Sequence, residues 1–466
     1  MRKKAPRWVR WIGRVYICIL IAVPVGDVLW GWYAHWRLDR EIVRLRSLGE
    51  PMSMGEIKID SLLDSENASL DYQAAGKMIR TKTAAWKTWY DSEAGEFEIP
   101  LTAWESGTIR TIVEENGDAI AWAGAARGKK AGEWGDHLAT ADPVQMLSLD
   151  FMSSRMLADL LRLAAYDAHV RHHDDQAVLY LRDLVRLAAA TQNRPGGLVG
   201  HLVADGIGAL ASDTASRLSP EIKIGPDGAE RGEVAALIVD LCDERSLRDG
   251  RLLGWRTERI ANLNGVEEIV KGVVVTPQGG QRSTGSTVAG FLGRPFLFTD
   301  ARLMADDFQG IMAAGDAADW PTAQRHLPKA LEAAIEVHPI IHLYASIFSG
   351  ATARATQVDY RAMAERRLAV VALAVRLYAL DHLGRLPANL EELTPRYLPS
   401  VPIDPLSGVA LRYVNDVARP RIYSVGEDGV DDGGTEPNPN APGSKRNLHT
   451  DIVVNLRTQP RPATQP

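Results

Sequence analysis

An almost unbroken apolar stretch lies near the N-terminus of the chain, over residues 15–36. At 1.5 Å per residue, a helix of that length spans a hydrocarbon core of ~30 Å. Asp27 is the one acidic residue inside the stretch, and Pro24 and Gly26 beside it would let water or a partner helix reach the charge. The pattern predicts a transmembrane helix over residues 15–36.

Charged and aromatic residues at the two ends of this stretch predict its orientation. Residues 1–14 hold six basic side chains, namely Arg2, Lys3, Lys4, Arg7, Arg10 and Arg14. Such a segment stays in the cytoplasm, and the aromatic rings at the other end favour the lipid–water boundary: Trp30, Trp32, Tyr33 and Trp36. A cleaved signal peptide, the competing interpretation, requires a shorter apolar core and small residues at a cut site. We therefore predict a retained single-pass anchor in the cytoplasmic membrane, with the rest of the chain outside the cytoplasm.

Helical periodicity dominates the chain beyond the anchor. Leu38, Ile42 and Leu45 share one helix face, so residues 37–50 are predicted to continue the helix into water as a stalk. From residue 51 to about residue 350, apolar residues at helical spacing alternate with Gly, Pro and Asp. This pattern predicts a mainly α fold, with a helical extracytoplasmic region over residues 51–350.

The clearest pattern in this region predicts a helical hairpin over Met156–Ala190. Leucines and alanines at helical spacing lie on both sides of a polar turn: Leu157, Leu160, Leu161, Ala164 and Ala165 before it, and Ala177, Tyr180, Leu181, Leu184 and Leu187 after it. The alanine-rich contacts are similar to those of tetratricopeptide-like repeats, but no second copy recurs at a fixed period. Helix packing alone accounts for the pattern.

Charge and cysteine content narrow the range of partners. A net charge of -6 and a pI near 6.0 provide no basic surface for polyanions, so nucleic acid is not an expected partner. Because Cys18 lies in the apolar stretch, Cys242 has no intramolecular partner, and no disulfide framework is predicted.

Two groups of histidines have spacings that metal sites use. The first lies in a polar turn and combines His169, His172 and His173 with Asp174 and Asp175. We favour a hydrated turn here, because the H-E-x-x-H arrangement and a further ligand are missing. His338 and His342 also stand four apart, but the apolar residues between them predict core histidines.

A near-match to the phosphate-binding loop follows a run of valines at 273–275. Gly280, Gly285, Ser286 and Thr287 fit the spacing of G-x-x-x-x-G-K-[ST], but the lysine that binds the outer phosphates is absent. We therefore predict a flexible loop and no nucleotide. Since G-x-S-x-G, C-x-x-C and G-x-G-x-x-G are also absent from the sequence, no catalytic residue is assigned and a non-enzymatic protein is predicted.

The C-terminal part has a different pattern. A helix over Tyr360–His382 is predicted to end at Gly384, and a Pro-punctuated segment follows it. Short β-type runs at Leu411–Val414 and Arg421–Val425 predict a small antiparallel sheet against this helix. Residues 459–466 are predicted to be a disordered tail.

This part resembles the C-terminal part of the major pseudopilin of type II secretion, pseudopilin G. The resemblance rests on the helix leading into Gly384-Arg-Leu-Pro, on the Asp404-Pro405 step before Gly408 and Tyr413, and on Tyr423-Ser-Val-Gly-Glu-Asp-Gly followed by Thr450-Asp-Ile. It implies an α+β module over residues 355–458. The whole chain also looks like large membrane-anchored bacterial proteins with helical middles, a likeness that implies no activity. Because the leader and the early helix Glu of pilin-type subunits are missing, assembly into a pilus is not expected.

The same resemblance implies a calcium site. In pseudopilin G the matching loop binds calcium, and residue by residue its ligands correspond to Asp428 and Asp451, with Asp431 and Asp432 as further candidates. The Gly-rich loop suits calcium, which takes several oxygen ligands and accepts backbone carbonyls. A solvated acidic turn is the alternative, because an insertion over residues 435–449 separates the two halves of the site.

Three functional hypotheses follow from these patterns. The favoured one is a non-catalytic protein of the bacterial envelope that binds other proteins through its helical region and its pseudopilin-like tail. The second is an accessory component of a type II secretion pseudopilus. The third is an enzyme whose site is scattered over the helical region, because catalytic groups that meet in space need no local motif.

Overall fold

A computed structural model describes residues 7–58, 61–91, 99–134, 150–276, 279–338, 342–435 and 450–458. The fold is mainly helical, as predicted, and has one small antiparallel sheet besides a β-hairpin. The helices are α1 (Arg7–Ser47), α2 (Ala68–Met78), α3 (Ala84–Asp91), α4 (Ala103–Glu115), α5 (Gly117–Ala125), α6 (Phe151–Val170), α7 (Asp174–Gln192), α8 (Gly197–Leu218), α9 (Arg231–Cys242), α10 (Arg245–Val270), α11 (Thr284–Gly315), α12 (Trp320–His326), α13 (Ala330–Val337) and α14 (Leu343–Asp381). The strands are β1 (Val273–Thr276), β2 (Gly279–Arg282), β3 (Arg412–Val414), β4 (Arg421–Ser424) and β5 (Ile452–Asn455).

Helix α1 contains the apolar stretch as one continuous helix of 41 residues. Among the described residues it is the only helix that is long and apolar enough to cross a membrane, and the apolar part is exposed. This confirms an N-terminal helix of the kind that serves as a membrane anchor or as a signal sequence. The last part of α1 is not a bare stalk, because Ala34, Leu38 and Leu45 are buried against α10 and α11.

The central core confirms the predicted hairpin. Helices α6 and α7 pack against each other, and Leu160, Leu161, Leu184 and Leu187 are fully buried between them and their neighbours. Helix α8 lies against α7 and α14, and α10 packs on α8 and α11. Apolar side chains at helical spacing therefore assemble a multihelix layer around α8.

Helix α14 is longer than the sequence predicts, since it begins at Leu343 and ends at Asp381. It crosses the predicted boundary between the helical region and the C-terminal module. Its buried side chains, among them Leu368 and Leu373, belong to the same hydrophobic core as Leu157 of α6. The division into residues 51–350 and 355–458 stays a prediction.

The C-terminal sheet has the strand order β3-β4-β5 and is antiparallel throughout. The predicted pair of strands is confirmed to within one residue at each end, with Tyr413 opposite Ile422. The third strand, β5, was not predicted, and it pairs with β4 through Ile422 opposite Val454. Ile422 is buried and joins the sheet to the main helical core.

Candidate metal centre

Three helices bring one histidine, two aspartates and one glutamine together inside the helical body. His201 and Asp205 stand four residues apart on α8 and therefore share one helix face. Asp359 comes from α14, which packs on α8, and Gln192 is the last residue of α7. All four side chains are buried.

The imidazole of His201 faces both carboxylates. Its Nε2 lies 2.8 Å from Oδ1 of Asp359 and 3.4 Å from Oδ2 of Asp205. One ligand atom from each of the three residues lies within 4.8 Å of the other two. In the part of the chain that the structure describes, this is the only group of His, Cys, Asp and Glu with such a geometry.

Gln192 orients two of the three residues. Its Nε2 donates to Oδ1 of Asp205 at 2.6 Å, and its Oε1 lies 2.8 Å from Nδ1 of His201. Because an ionised carboxylate can only accept, the amide turns its nitrogen towards Asp205 and its oxygen towards the histidine. Nδ1 of His201 consequently donates, and in the neutral ring Nε2 keeps its lone pair pointing at the carboxylates. This is how residues around metal centres commonly orient a histidine ligand.

Two buried carboxylates beside one histidine dominate the electrostatics of the centre. Asp205 and Asp359 are 2% and 6% exposed, yet Oδ2 of each lacks a hydrogen-bond partner. Burial raises the pKa of Asp205, the His201 charge opposes that effect, and the nearby Asp359 charge adds to it. Burial alone lowers the pKa of His201, but Asp205 and Asp359 outweigh it and raise the pKa. Either bound protons or a bound cation must therefore compensate the two carboxylates.

A cavity of about 140 Å³ opens beside the cluster. Its wall includes Arg251 of α10, which donates to Oδ1 of Asp316 at 2.8 Å while its Nε has no hydrogen-bond partner. The volume is enough for a few water molecules or one small anion next to the carboxylates, given ~30 Å³ for a water in the liquid.

The residues present suit a divalent transition metal. One imidazole and two carboxylates are ligands of Zn²⁺, Mn²⁺ and Fe²⁺, and bonds of about 2.0–2.1 Å in tetrahedral geometry separate ligand atoms by ~3.3 Å. The separations of 2.8 Å and 3.4 Å from His201 Nε2 need only small side-chain rotations to fit. Three protein ligands would leave at least one position open, as in catalytic rather than structural sites.

The structure places the four predicted calcium ligands in and beside the loop after β4. Asp428 is exposed and accepts the Val430 amide, while Asp431 accepts the Arg412 guanidinium at 2.6 Å. Asp451 is buried and accepts the Gly434 amide at 2.7 Å. Burial raises the pKa of Asp451, and the charges of Asp431 and Asp432 raise it further against two backbone hydrogen bonds.

The calcium site stays a prediction. Asp431 and Asp432 lie close to Asp451, but residues 436–449 of the insertion between the two halves of the predicted site fall outside the described residues. Among the described residues, Asp428, Asp431, Asp432 and Asp451 form no group of three with ligand atoms as close as those of the His201 cluster.

Of the other histidines that the sequence analysis singled out, His169 and His342 have buried aspartate partners. The predicted hydrated turn is wrong for His169 and Asp174, which are buried: His169 lies 2.6 Å from Oδ1 of Asp174, whose other oxygen accepts the Lys223 amide. His172 and His173 are exposed in the turn, as predicted. His342 is buried, as predicted, and its Nδ1 lies 2.5 Å from Oδ1 of Asp300. His338 differs from the prediction because it is exposed.

The near-match to a phosphate loop belongs to a β-hairpin and a helix cap. Gly280 pairs with Val275 across the hairpin, and residues 277–278 lie outside the described residues. Ser283 caps α11 by accepting the Ser286 amide at 3.0 Å, and Ser286 in turn accepts from the Ser283 amide. These serines therefore start a helix.

Sequence reasoning missed the His201 cluster. The spacing of His201 and Asp205 is visible in the sequence, as is that of other pairs four residues apart. Asp359 lies 158 residues after His201, and only the packing of α14 on α8 brings it into the site.

Comparison with known proteins found no match that bears on this site. No protein-family model matches the chain, and neither do any of the curated proteins or solved structures compared with it. The resemblance to pseudopilin G stays a prediction.

Proposed function

We propose that this chain is a membrane-anchored protein whose helical body binds one divalent transition metal ion at His201, Asp205 and Asp359. One observation carries the proposal: two buried carboxylates, each with an Oδ2 that accepts no hydrogen bond, face the Nε2 of a histidine that Gln192 orients. Unpaired buried carboxylates are costly, and a divalent cation would neutralise both.

A protonated cluster without metal is the competing state. In that state His201 carries a positive charge and the two aspartates share the remaining charge, in line with the raised pKa values of His201 and Asp205. A metal must displace these protons, because it binds the neutral imidazole and ionised carboxylates. Apparent affinity should therefore rise as pH rises through the neutral range, and protons should be released on binding.

Metal addition is expected to raise the melting temperature of the full-length protein in detergent after it has been stripped with a chelator. Binding to the folded state alone contributes about 2.7 kcal/mol when the free metal is at 100 times its dissociation constant. Scanning calorimetry with Zn²⁺ and with Mn²⁺ measures the rise, and titration calorimetry in two buffers measures proton release.

Matched variants make that experiment specific. Asp359→Asn and His201→Gln should abolish the response to metal, because each removes a ligand. His342→Gln is the control, since it changes another buried histidine that is paired with an aspartate. Equal responses in all three variants, or no response in the parent, would refute a metal centre at this cluster.

We also propose that the helical body lies outside the cytoplasm and that α1 is a retained anchor in the cytoplasmic membrane. The six basic residues before the apolar stretch support this orientation. An alkaline phosphatase fused after Pro466 should be active, and a fluorescent protein that matures only in the cytoplasm should be dark. An inactive phosphatase fusion together with a fluorescent protein fusion that is bright would show the opposite topology.

The protein-binding role in the envelope stays a proposal beside the metal centre. The resemblance of residues 355–458 to pseudopilin G supports this role. The same resemblance supports the alternative, an accessory role in a secretion pseudopilus. Crosslinking followed by affinity purification from membranes tests both roles. Secretion components among the captured proteins would favour the accessory role in a pseudopilus.

An enzyme is the other candidate, and one specific observation favours it. Arg251 lines the same cavity as the three ligands and has an Nε without a partner. A small anion bound to the open metal position could therefore also accept a hydrogen bond from this guanidinium. Binding of inorganic phosphate that depends on both the metal and Arg251 would support this candidate.

A further inference from the structure

Helix α11 runs beside the anchor helix in the same direction. The contacting pairs advance together along both helices: Asp27 with Arg294, Trp30 with Phe296, His35 with Phe298 and Arg44 with Asp306. The part of α11 before Arg294 therefore extends in the direction of the apolar stretch of α1. From Thr284 to Arg294 this part of α11 is about 15 Å long.

This first part of α11 is apolar and uncovered. Between Thr284 and Phe298 the only charged residue is Arg294. Val288, Phe291 and Leu292 are 53%, 46% and 52% exposed, at positions three and four residues apart that form one face. A soluble protein rarely presents such a face without a partner.

Arg294 explains why a membrane helix carries Asp27. Their charged groups lie 3.4 Å apart, and both side chains are mostly shielded. The Arg294 guanidinium also lies over the Phe291 ring, 3.7 Å from its centroid. At Gly31 a Cβ atom would come within 2.4 Å of Arg294 Nε, so glycine leaves room for this approach. Pairing compensates a charge that would be costly alone among lipids.

We propose that Thr284–Phe298 is a second membrane-embedded segment, which enters the outer part of the same bilayer beside α1. Its exposed apolar face contacts lipid acyl chains and extends the lipid-facing surface of α1. The backbone at its start is satisfied by the Ser283–Ser286 capping box, as a helix end near lipid requires.

The neighbouring end of α10 lies level with the middle of this segment. Gly290 approaches the carbonyl of Ile269 so closely that a Cβ atom would lie 2.2 Å from it. The charged residues around this end, Glu267, Glu268 and Lys271, form ion pairs of 3.7 Å and 2.9 Å with one another. Because these charges are paired with one another, they oppose insertion of the segment less than isolated charges would.

Fluorescence of the full-length protein in phosphatidylcholine–phosphatidylglycerol vesicles tests this proposal, which is independent of the metal centre. Cys18 and Cys242 are replaced by serine, and one cysteine carrying an environment-sensitive dye is introduced by Phe291→Cys. Ile21→Cys in the apolar stretch is the lipid reference, and Val239→Cys on α9, which is exposed, is the water reference.

We expect spin labels on lipid acyl chains to quench the dye at position 291 about as strongly as at position 21, and several-fold more than at position 239. Quenching at 291 equal to that at 239 would overturn the proposal. A blue-shifted dye at 291 that lipid-borne labels do not quench would also overturn it, since a second copy or another protein would then cover this face.

Discussion

Replacing Leu184 with Asp is expected to unfold the helical body. Leu184 is fully buried in the hydrophobic core that α6, α7 and α8 share. Burial of an unpaired charge and loss of the leucine side chain each cost several kcal/mol. The sum, above about 5 kcal/mol, is comparable to the whole stability of an ordinary domain.

Thermal unfolding in detergent, followed by circular dichroism, measures this effect. Leu184→Ala removes the side chain without adding a charge and should destabilise less, by ~2–5 kcal/mol. Gln176→Asp places the same carboxylate at an exposed position of the same helix and should melt like the parent. A Leu184→Asp variant that also melts like the parent would show that this face of α7 is assigned wrongly.

The parts of the fold that the sequence predicted are those with a local pattern. The α6–α7 hairpin has one apolar face on each helix, so its period is visible within a short window. Helix α14 was predicted to begin too late, because the helix contacts several elements along its length and its sequence shows no single apolar stripe. Strand β5 lies beyond the insertion that follows β4, and its pairing with β4 is a long-range contact.

The candidate metal centre could not be predicted from a local sequence pattern, because it also depends on a long-range contact. His201 and Asp205 resemble any polar pair on a helix until Asp359 is placed beside them. Asp27 was recognised as discordant in an apolar helix, but its partner Arg294 lies 267 residues away. Sequence reasoning thus identified an unusual charge without identifying the group that compensates it.

Asp404→Ala is expected to loosen the C-terminal sheet while the helical body stays folded. Asp404 is fully buried and accepts the Leu406 amide at 2.9 Å, the Ser424 hydroxyl at 2.7 Å and the Val425 amide at 3.2 Å, which connect the turn after it to β4. Alanine would leave these donors buried without an acceptor, at about 1–3 kcal/mol each. Amide hydrogen exchange should accelerate in β3, β4 and β5 and stay slow in α6 and α7.

Asp416→Ala is the control, because Asp416 also accepts two backbone amides but is exposed, so that water can replace it. Equal exchange in both variants would mean that the Asp404 network does not hold the sheet.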